Sequence, residues 1–279
     1  MIRQAVPGDE AALRAFLEPR AITSLYLLAN LERFGLEPTD HKNATTYFAN
    51  WHDDHVTGVI GVTQAGYGLV QAPDHASDLA SCLAERPLLG VLGLPDHVAA
   101  VLGALHLTTV EFIAHDDEPL CAMELRDLPP PDHGLRQPTE ADRDLLTMWI
   151  ADFLLVTRQC PTLDAALAGA ISRVDAAINE GDVWLWCPEG VPLGSVGINA
   201  RAGNLVHVGA VYVPPEHRCK GIAEAMIRAL VRQCGQDGAH KAVLFANSPS
   251  AERAYVRAGF ERIGRFRIAL FAQPEKGCL

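Results

Sequence analysis

The segment from Leu205 to Cys234 constrains the fold of this 279-residue chain most strongly, because a strand pattern gives way there to a helix pattern. The strand pattern is rich in β-branched residues, and it ends at Pro214 and Pro215, which cannot donate hydrogen bonds to a neighbouring strand. Further on, apolar residues recur at helical spacing up to Gly235, where the helix is predicted to end. The segment predicts a strand, a loop and a helix.

The loop in this segment carries Arg218, Gly221 and Ala223 in the pattern Arg-x-x-Gly-x-Ala. Small residues let the backbone come close to a ligand, while the first unpaired N–H groups of the helix point outward. A helix start of this kind binds anions. A second interpretation is that Gly221 only meets a steric need of strand-to-helix packing, and a glycine alone does not decide between the two.

A later segment shows a second strand followed by a second helix. The strand is predicted from Lys241 and ends at the polar Asn247. Ser248 then supplies a capping hydroxyl before a proline at the first helical position, and the short helix stops at Gly259. Tyr255 lies within this helix.

The pattern Val-x-Pro-x-x-Arg-x-x-Gly-x-Ala, from Val213 to Ala223, resembles the pyrophosphate-binding motif of the Gcn5-related N-acetyltransferase (GNAT) superfamily. The segment from Asn247 to Phe260 resembles the closing segment of the same superfamily, in the required order and spacing. The resemblance implies a mixed α/β fold with two tandem GNAT-like domains, each a mostly antiparallel twisted sheet flanked by helices.

The resemblance also implies acetyl-CoA or another acyl-CoA as the donor, and no metal. Backbone N–H groups at the helix start would bind the diphosphate, with two basic side chains adding positive charge, and the strand would pair with the pantetheine amides. The residues that would contact the donor are Val211, Tyr212, Val213, Arg218, Cys219, Lys220, Gly221, Ile222, Ala223 and Asn247.

Two residues are predicted to be catalytic. Tyr255 matches the superfamily tyrosine that protonates the leaving thiolate, and an N–H near Val211 would face the carbonyl oxygen. His207 is the predicted general base, since imidazole has a suitable pKa near 6.5. A histidine on a strand is equally typical of a core residue, and Glu216, His217 or a chain of water molecules are the alternatives.

The length favours two domains. We predict a degenerate GNAT-like domain without the donor loop over residues 1–127, a proline-rich linker over 128–138 and the acetyltransferase domain over 139–279. A weak internal repeat supports this division, because the sequence from Leu135 to Asp142 resembles the sequence that leads into the first helix near Asp9. The order of elements in the first half also resembles this fold.

Three local features have simpler interpretations. His52, Asp53, Asp54 and His55 predict a hairpin turn rather than a metal site. The pattern Gly-x-x-Gly that begins at Gly90 is interpreted as packing, since no basic residue accompanies it. Residues 110–114 and 120–125 are predicted to form a pair of strands.

The charge of the chain is unevenly distributed. Residues 1–127 hold 7 Lys and Arg against 18 Asp and Glu, a net charge of −11, whereas residues 128–279 hold 16 of each. This balance argues against a nucleic-acid partner. The acidic first half is either an ordinary solvated surface or a field that attracts cationic, amine-bearing acceptors.

Seven scattered cysteines in no Cys-x-x-Cys spacing favour neither a disulfide framework nor a zinc site. They are typical of a reducing compartment, and no apolar run approaches the length of a membrane helix. Since no hydrophobic signal region is apparent, we expect a cytoplasmic protein without a membrane partner. The sequence does not predict the oligomeric state.

These observations together predict an acetyl-CoA-dependent N-acetyltransferase that transfers an acyl group to a primary amine by direct attack in a ternary complex. The acceptor would be a small-molecule amine or a peptide amine. The alternative is a non-catalytic acyl-CoA-binding or regulatory module, in which the donor binds and no acceptor reacts.

Overall fold

The computed structural model describes residues 1–130, 133–157 and 159–278. The helices of these residues are α1 (Glu10–Leu17), α2 (Leu25–Phe34), α3 (Ala76–Ala80), α4 (Pro95–Ala104), α5 (Arg143–Val156), α6 (Leu163–Asn179), α7 (Ile222–Gln236) and α8 (Pro249–Ala258). The strands are β1 (Ile2–Gln4), β2 (Thr45–His52), β3 (His55–Thr63), β4 (Tyr67–Gln71), β5 (Pro87–Gly93), β6 (Phe112–Glu124), β7 (Leu135–Arg136), β8 (Val183–Trp186), β9 (Gly194–Ala202), β10 (Leu205–Tyr212), β11 (Lys241–Phe245) and β12 (Glu261–Lys276). No helix within these ranges is long and apolar enough to cross a membrane.

The first compact unit comprises Met1–Glu118 and the segment that starts at Arg265. Its strands lie in the order β1-β2-β3-β4-β5-β12. Neighbouring strands are antiparallel except β4 and β5, which are parallel. Its core collects apolar side chains from β3, α3, β5 and α4, with Ile60, Leu79 and Val98 fully buried.

The second compact unit is Pro119–Gly264. Its strands lie in the order β6-β11-β10-β9-β8-β7, again antiparallel with one parallel pair, β10 and β11. One core packs α7 and α8 against the sheet through residues such as Val206 and Ile227. A separate core packs α5 and α6 through residues such as Trp149, Val174 and Tyr212. Val206, Val208 and Val211 of β10 thus pack in the first core, whereas Tyr212, which follows an irregularity in the strand, belongs to the second.

The two halves of the chain repeat the same order of elements. A strand, two helices, three strands, a helix, a strand, a helix and a final strand run from β1 to β6 and again from β7 to β12. The mixed α/β fold class with mostly antiparallel sheets and two tandem halves is therefore confirmed.

The last strand of each half contains residues of both units. In β6, residues 120–124 pair with β11 in the second unit, whereas residues 112–118 belong to the first. In β12, residues 267–270 pair with β5 in the first unit, whereas residues 261–264 belong to the second. The two compact units therefore differ from the ranges 1–127 and 139–279, whose assignment as domains stays a prediction.

The predicted linker contains a short strand. Leu135–Arg136 forms β7 and pairs with β8 in the second unit. Pro131 and Asp132 of the same stretch lie outside the described residues. Arg136 and its neighbours thus begin the second half rather than merely connecting it to the first.

Of the three local predictions, two are confirmed and one was wrong. The turn at Asp53 is confirmed, because β2 and β3 form a hairpin there and Asp53 has a φ of 52°. Packing at Gly90 is also confirmed, since a Cβ there would meet the carbonyl oxygen of Ala269 on β12. The prediction of two strands between Val110 and Leu125 was wrong, because β6 runs unbroken through the polar residues between them.

Candidate functional site

The strand β10 changes its partners near the end of the sheet. Its parallel pairing with β11 covers only Leu205 to His207, although β11 continues to Phe245. On its other edge, β10 pairs with β9 through a bulge between Gly209 and Tyr212 that contains one extra residue. Beyond the bulge, β10 therefore has a hydrogen-bonded strand on one side only.

The main chain beyond the bulge presents groups that no neighbouring strand pairs with, although the Val213 carbonyl accepts a hydrogen bond from Arg218 Nε. Tyr212 pairs with Ser195 of β9, so the N–H and C=O groups of Val211 and Val213 face away from β9 by strand alternation. Ala210 has a φ of 50°, which helps turn the strand at the bulge. An extended chain with amide groups can add to this free edge.

The loop after β10 is open to solvent. Pro215 to His217 form a single 3-10 turn, and the four residues that follow, Arg218 to Gly221, are all exposed. Cys219 and Gly221 have left-handed backbone conformations, with φ of 61° and 77°. Left-handed geometry is costly for Cys219, whereas Gly221 adopts it readily.

Gly221 is not required for packing. A Cβ built at this position would meet no heavy atom within 4 Å, so no neighbouring strand or helix excludes a side chain. The residue instead provides the left-handed backbone at the N-cap of α7 and leaves open space beside it. This geometry rules out the steric interpretation of Gly221.

The helix that starts at Gly221 is long and well anchored. The Ala225 N–H donates to the Gly221 carbonyl at 3.0 Å, so the N–H groups of Ile222, Ala223 and Glu224 have no partner within the helix. Apolar residues along the rest of α7 are fully buried. The positive end of the helix dipole is thus fixed at an exposed loop, where it favours anions.

The two basic residues of the loop fold back onto it. The Arg218 Nε donates to the Val213 carbonyl at 2.9 Å, and the Lys220 Nζ donates to the Glu216 carbonyl at 2.8 Å. Both side chains add positive charge beside the start of α7.

Asp152 of α5 also reaches this region, and the sequence analysis did not identify it. The Tyr212 hydroxyl donates to Asp152 Oδ2 at 2.6 Å, and Arg218 Nη2 lies 3.6 Å from the same oxygen. Burial raises the pKa of Tyr212, and the hydrogen bond to the Asp152 carboxylate raises it further. Since Asp152 lies 60 residues before Tyr212, only the fold brings them together.

His207 occupies a different environment from the loop. Its side chain is 3% exposed and packs against Phe245, with 4.6 Å between ring centroids. Burial lowers the pKa of His207 to about 3. An imidazole this buried and this weakly basic is disfavoured as a general base, so that assignment stays a prediction with the geometry against it.

Tyr255 is placed by the helix α8, which is well capped. The Ser248 hydroxyl accepts from the Ala251 N–H at 3.2 Å, Pro249 occupies the first turn, and Gly259 ends the helix with a φ of 110°. Tyr255 is 7% exposed and belongs to the core that α7 and α8 share.

Charged residues bind α8 to the first turns of α7. Glu224 lies 3.0 Å from Arg228 and 3.1 Å from Arg257, and Arg228 donates to the Arg257 carbonyl at 2.5 Å. Asn247 is exposed just before α8. These contacts hold the helix of Tyr255 beside the helix that starts at Gly221.

The first unit lacks the equivalent features. Its strands β4 and β5 pair along Tyr67 to Val70 without the early divergence seen between β10 and β11. The segment after β4 runs Ala72-Pro73-Asp74-His75 and leads into the five-residue helix α3, with no arginine, lysine or glycine. At the position of Tyr255 in α8, counted from the first-turn proline, α4 has Val101.

A comparison with protein families gives a match for part of the chain. Residues 146–260 match the family model described as the acetyltransferase (GNAT) family. No curated protein sequence matches the chain.

Solved structures of the same fold cover nearly the whole chain. A Drosophila protein is similar with 14% identity and a TM-score of 0.65, covering 96% of this chain and 98% of that one. A GCN5-related N-acetyltransferase from Sphaerobacter thermophilus has 17% identity and a TM-score of 0.53, covering 96% and 94%. A GNAT-family acetyltransferase from Colwellia psychrerythraea has 12% identity and a TM-score of 0.50, covering 97% and 99%. Residues 146–260 are thus similar to the acetyltransferase (GNAT) family, within a chain whose two halves share one order of elements.

Proposed function

We propose that this protein is an acetyl-CoA-dependent N-acetyltransferase that transfers an acyl group to a primary amine by direct attack in a ternary complex. The observation that carries the proposal is the exposed loop from Arg218 to Gly221, which combines a left-handed glycine, open space beside it and the start of a long helix. The family match of residues 146–260 supports acyl transfer in general terms, and the specific reaction rests on this site.

The donor would bind at two adjoining places. Its diphosphate would accept hydrogen bonds from the N–H groups of Cys219 to Ala223, with Arg218 and Lys220 supplying positive charge. Its pantetheine arm would pair with the free edge at Val211 and Val213, where β10 has separated from β11. Asn247, exposed at the end of the neighbouring strand, would contact the arm from the other side.

The transfer step follows from this placement. The acceptor nitrogen attacks the thioester carbonyl, a C–N bond forms and the C–S bond breaks. An N–H near Val211 would stabilise the negative charge that develops on the carbonyl oxygen. Tyr255 would donate its phenolic proton to the departing thiolate, and its fixed helix suits that role.

The proton of the attacking amine needs an acceptor. His207 is the candidate on the central strand, but burial and a pKa lowered to about 3 make it poorly matched to an amine. We therefore favour removal of this proton through ordered water, with His207 supporting the strand. Glu216 and His217 lie in the loop and form part of its 3-10 turn.

One observation favours the alternative function. Because burial and a pKa lowered to about 3 make His207 a poor base, a non-catalytic acyl-CoA-binding module is the second candidate. In that case the donor would bind at the same loop and no acceptor would react. A buried tyrosine in the closing helix would then serve packing alone.

A thiol-release assay decides between these functions. The full chain is incubated with acetyl-CoA and a panel of small amines, amino acids and peptides, and free CoA is measured over time. Amine-dependent release that is much slower in Tyr255→Phe supports the enzyme. CoA binding without release for any amine supports the binding module, and absence of CoA binding contradicts both.

A further inference from the structure

The segment of β10 beyond its bulge needs support from outside the sheet. Only β9 pairs with it there, and the register of that pairing shifts between Gly209 and Tyr212. A strand with one neighbour and an irregular register is poorly fixed by its own hydrogen bonds. The loop that starts after Val213 is therefore also poorly fixed by the hydrogen bonds of the sheet.

Asp152 supplies a contact that fixes this segment from α5. Its Oδ2 accepts from the Tyr212 hydroxyl at 2.6 Å, and hydrogen bonds to an ionised acceptor are stronger than neutral ones. The Tyr212 ring is buried against Trp149 of the same helix, with 5.9 Å between centroids. The ring and its hydroxyl thus attach the strand end to α5 at two points.

The same carboxylate oxygen also faces the loop. Arg218 Nη2 lies 3.6 Å from Asp152 Oδ2, while the Arg218 Nε donates to the Val213 carbonyl at 2.9 Å. The guanidinium therefore lies over the strand end, although the Arg218 side chain is exposed to solvent. Asp152 limits the orientations of both Tyr212 and Arg218.

We propose that Asp152 is a positioning residue for the donor: through Tyr212 it fixes the free edge that receives the pantetheine arm, and through Arg218 it orients the first positive charge of the diphosphate loop. This inference rests on the proposed function. It assigns Asp152 no contact with the reacting atoms.

Calorimetric titration with CoA tests the proposal at a temperature well below the melting temperature of each variant. Tyr212→Phe removes only the hydroxyl and leaves the Asp152 charge in place, and Asp152→Ala removes both contacts. We expect each to weaken CoA binding about tenfold, the size of a lost charge-assisted hydrogen bond. Asp152→Asn should bind CoA more tightly than Asp152→Ala, because its amide oxygen still accepts from Tyr212.

The matched control is Asp144→Ala, an exposed acidic residue two turns earlier on α5. It should bind CoA as the wild type does. In the acetylation assay, the KM for acetyl-CoA should rise more than kcat falls in the Asp152 and Tyr212 variants. A residue that only stabilises the fold would instead lower the melting temperature and leave the CoA affinity unchanged.

Unchanged CoA affinity in both Tyr212→Phe and Asp152→Ala would overturn the proposal, as would equal losses in the Asp144→Ala control. If Asp152→Ala fails to fold, Tyr212→Phe alone decides. A wild-type chain that does not bind CoA would overturn the proposed function, and the first titration tells that result apart from the others.

Discussion

Arg136 donates two hydrogen bonds, each of 2.8 Å, to the carboxylate of Asp142 and so joins β7 to the start of α5. Arg3 and Asp9 make the same paired contact at the start of the chain, at 2.6 and 3.0 Å. Both pairs join the first strand of a half to the start of its helices. The repeat that was weak in sequence is thus clear in structure.

The Arg136 and Asp142 pair predicts a pH-dependent contribution to stability. The hydrogen bond from Arg136 holds the pKa of Asp142 at about 2, below its ordinary value of 3.8. A depressed pKa means that the unfolded chain binds the proton more readily, so the stabilisation is present above pH 4 and is lost as pH falls towards 2.

Asp142→Asn should therefore lower the free energy of unfolding by about 2 kcal/mol at pH 7. The difference from the wild type should shrink as pH falls below 4. Denaturant unfolding at a series of pH values measures it, with Asp144→Asn as the control. A difference that stays constant down to pH 2 would mean that the ion pair is not its source.

His207 should also make the stability of the protein depend on pH. Burial lowers its pKa to about 3, so the unfolded chain gains a proton near pH 6.5 that the folded chain does not. The free energy of unfolding is therefore unaffected by His207 above pH 6.5. It falls by roughly 1.4 kcal/mol per pH unit as the solution is acidified from there towards pH 3. His207→Gln should remove this part of the pH dependence in denaturant unfolding.

The same histidine provides a test of the base assignment. If His207 only supports the strand, His207→Gln should change stability and leave the shape of the pH–rate curve as it is. A variant whose rate falls most near neutral pH and recovers as pH rises would show instead that His207 accepts the amine proton. Melting temperatures recorded beside the rates separate the two results.

Tyr255→Phe should separate chemistry from binding. The change removes one hydroxyl from a buried ring, so CoA binding should persist while turnover falls by about 10² to 10⁴, the usual contribution of a positioned acid. Titration with CoA and the thiol-release assay measure the two quantities on one preparation. Full activity in this variant would place the proton donor elsewhere.

The sequence predicted the part of the site that is continuous along the chain. The loop from Arg218 to Gly221 and the helix of Tyr255 each follow from local signals: prolines, a capping serine and glycines with left-handed backbones. Such signals act over a few residues, and the fold does not alter them here. The strand, loop and helix of the opening segment are confirmed for the same reason.

Contacts between distant segments could not be predicted in this way. Asp152 meets Tyr212 only because α5 packs against β10, and nothing near Asp152 in sequence indicates a partner. The burial of His207 depends on which face of β10 it occupies and on Phe245 of the next strand. β6 and β12 each contain residues of both units, because they pair with strands that lie more than a hundred residues away in sequence.

The central claim is that one donor binds each chain, at the loop of Gly221, and calorimetric titration of the full chain with CoA tests it most directly. We expect one site in the wild type, because the first unit has Asp74 and a five-residue helix where the second has its basic loop. Gly221→Val should abolish binding, since its side chain would occupy the open space and strain a backbone with a φ of 77°. Gly238→Val, at the other end of α7 with equally open surroundings and a φ of 93°, is the matched control and should bind CoA normally. Two equivalent sites in the wild type, or unchanged affinity in Gly221→Val, would contradict the account.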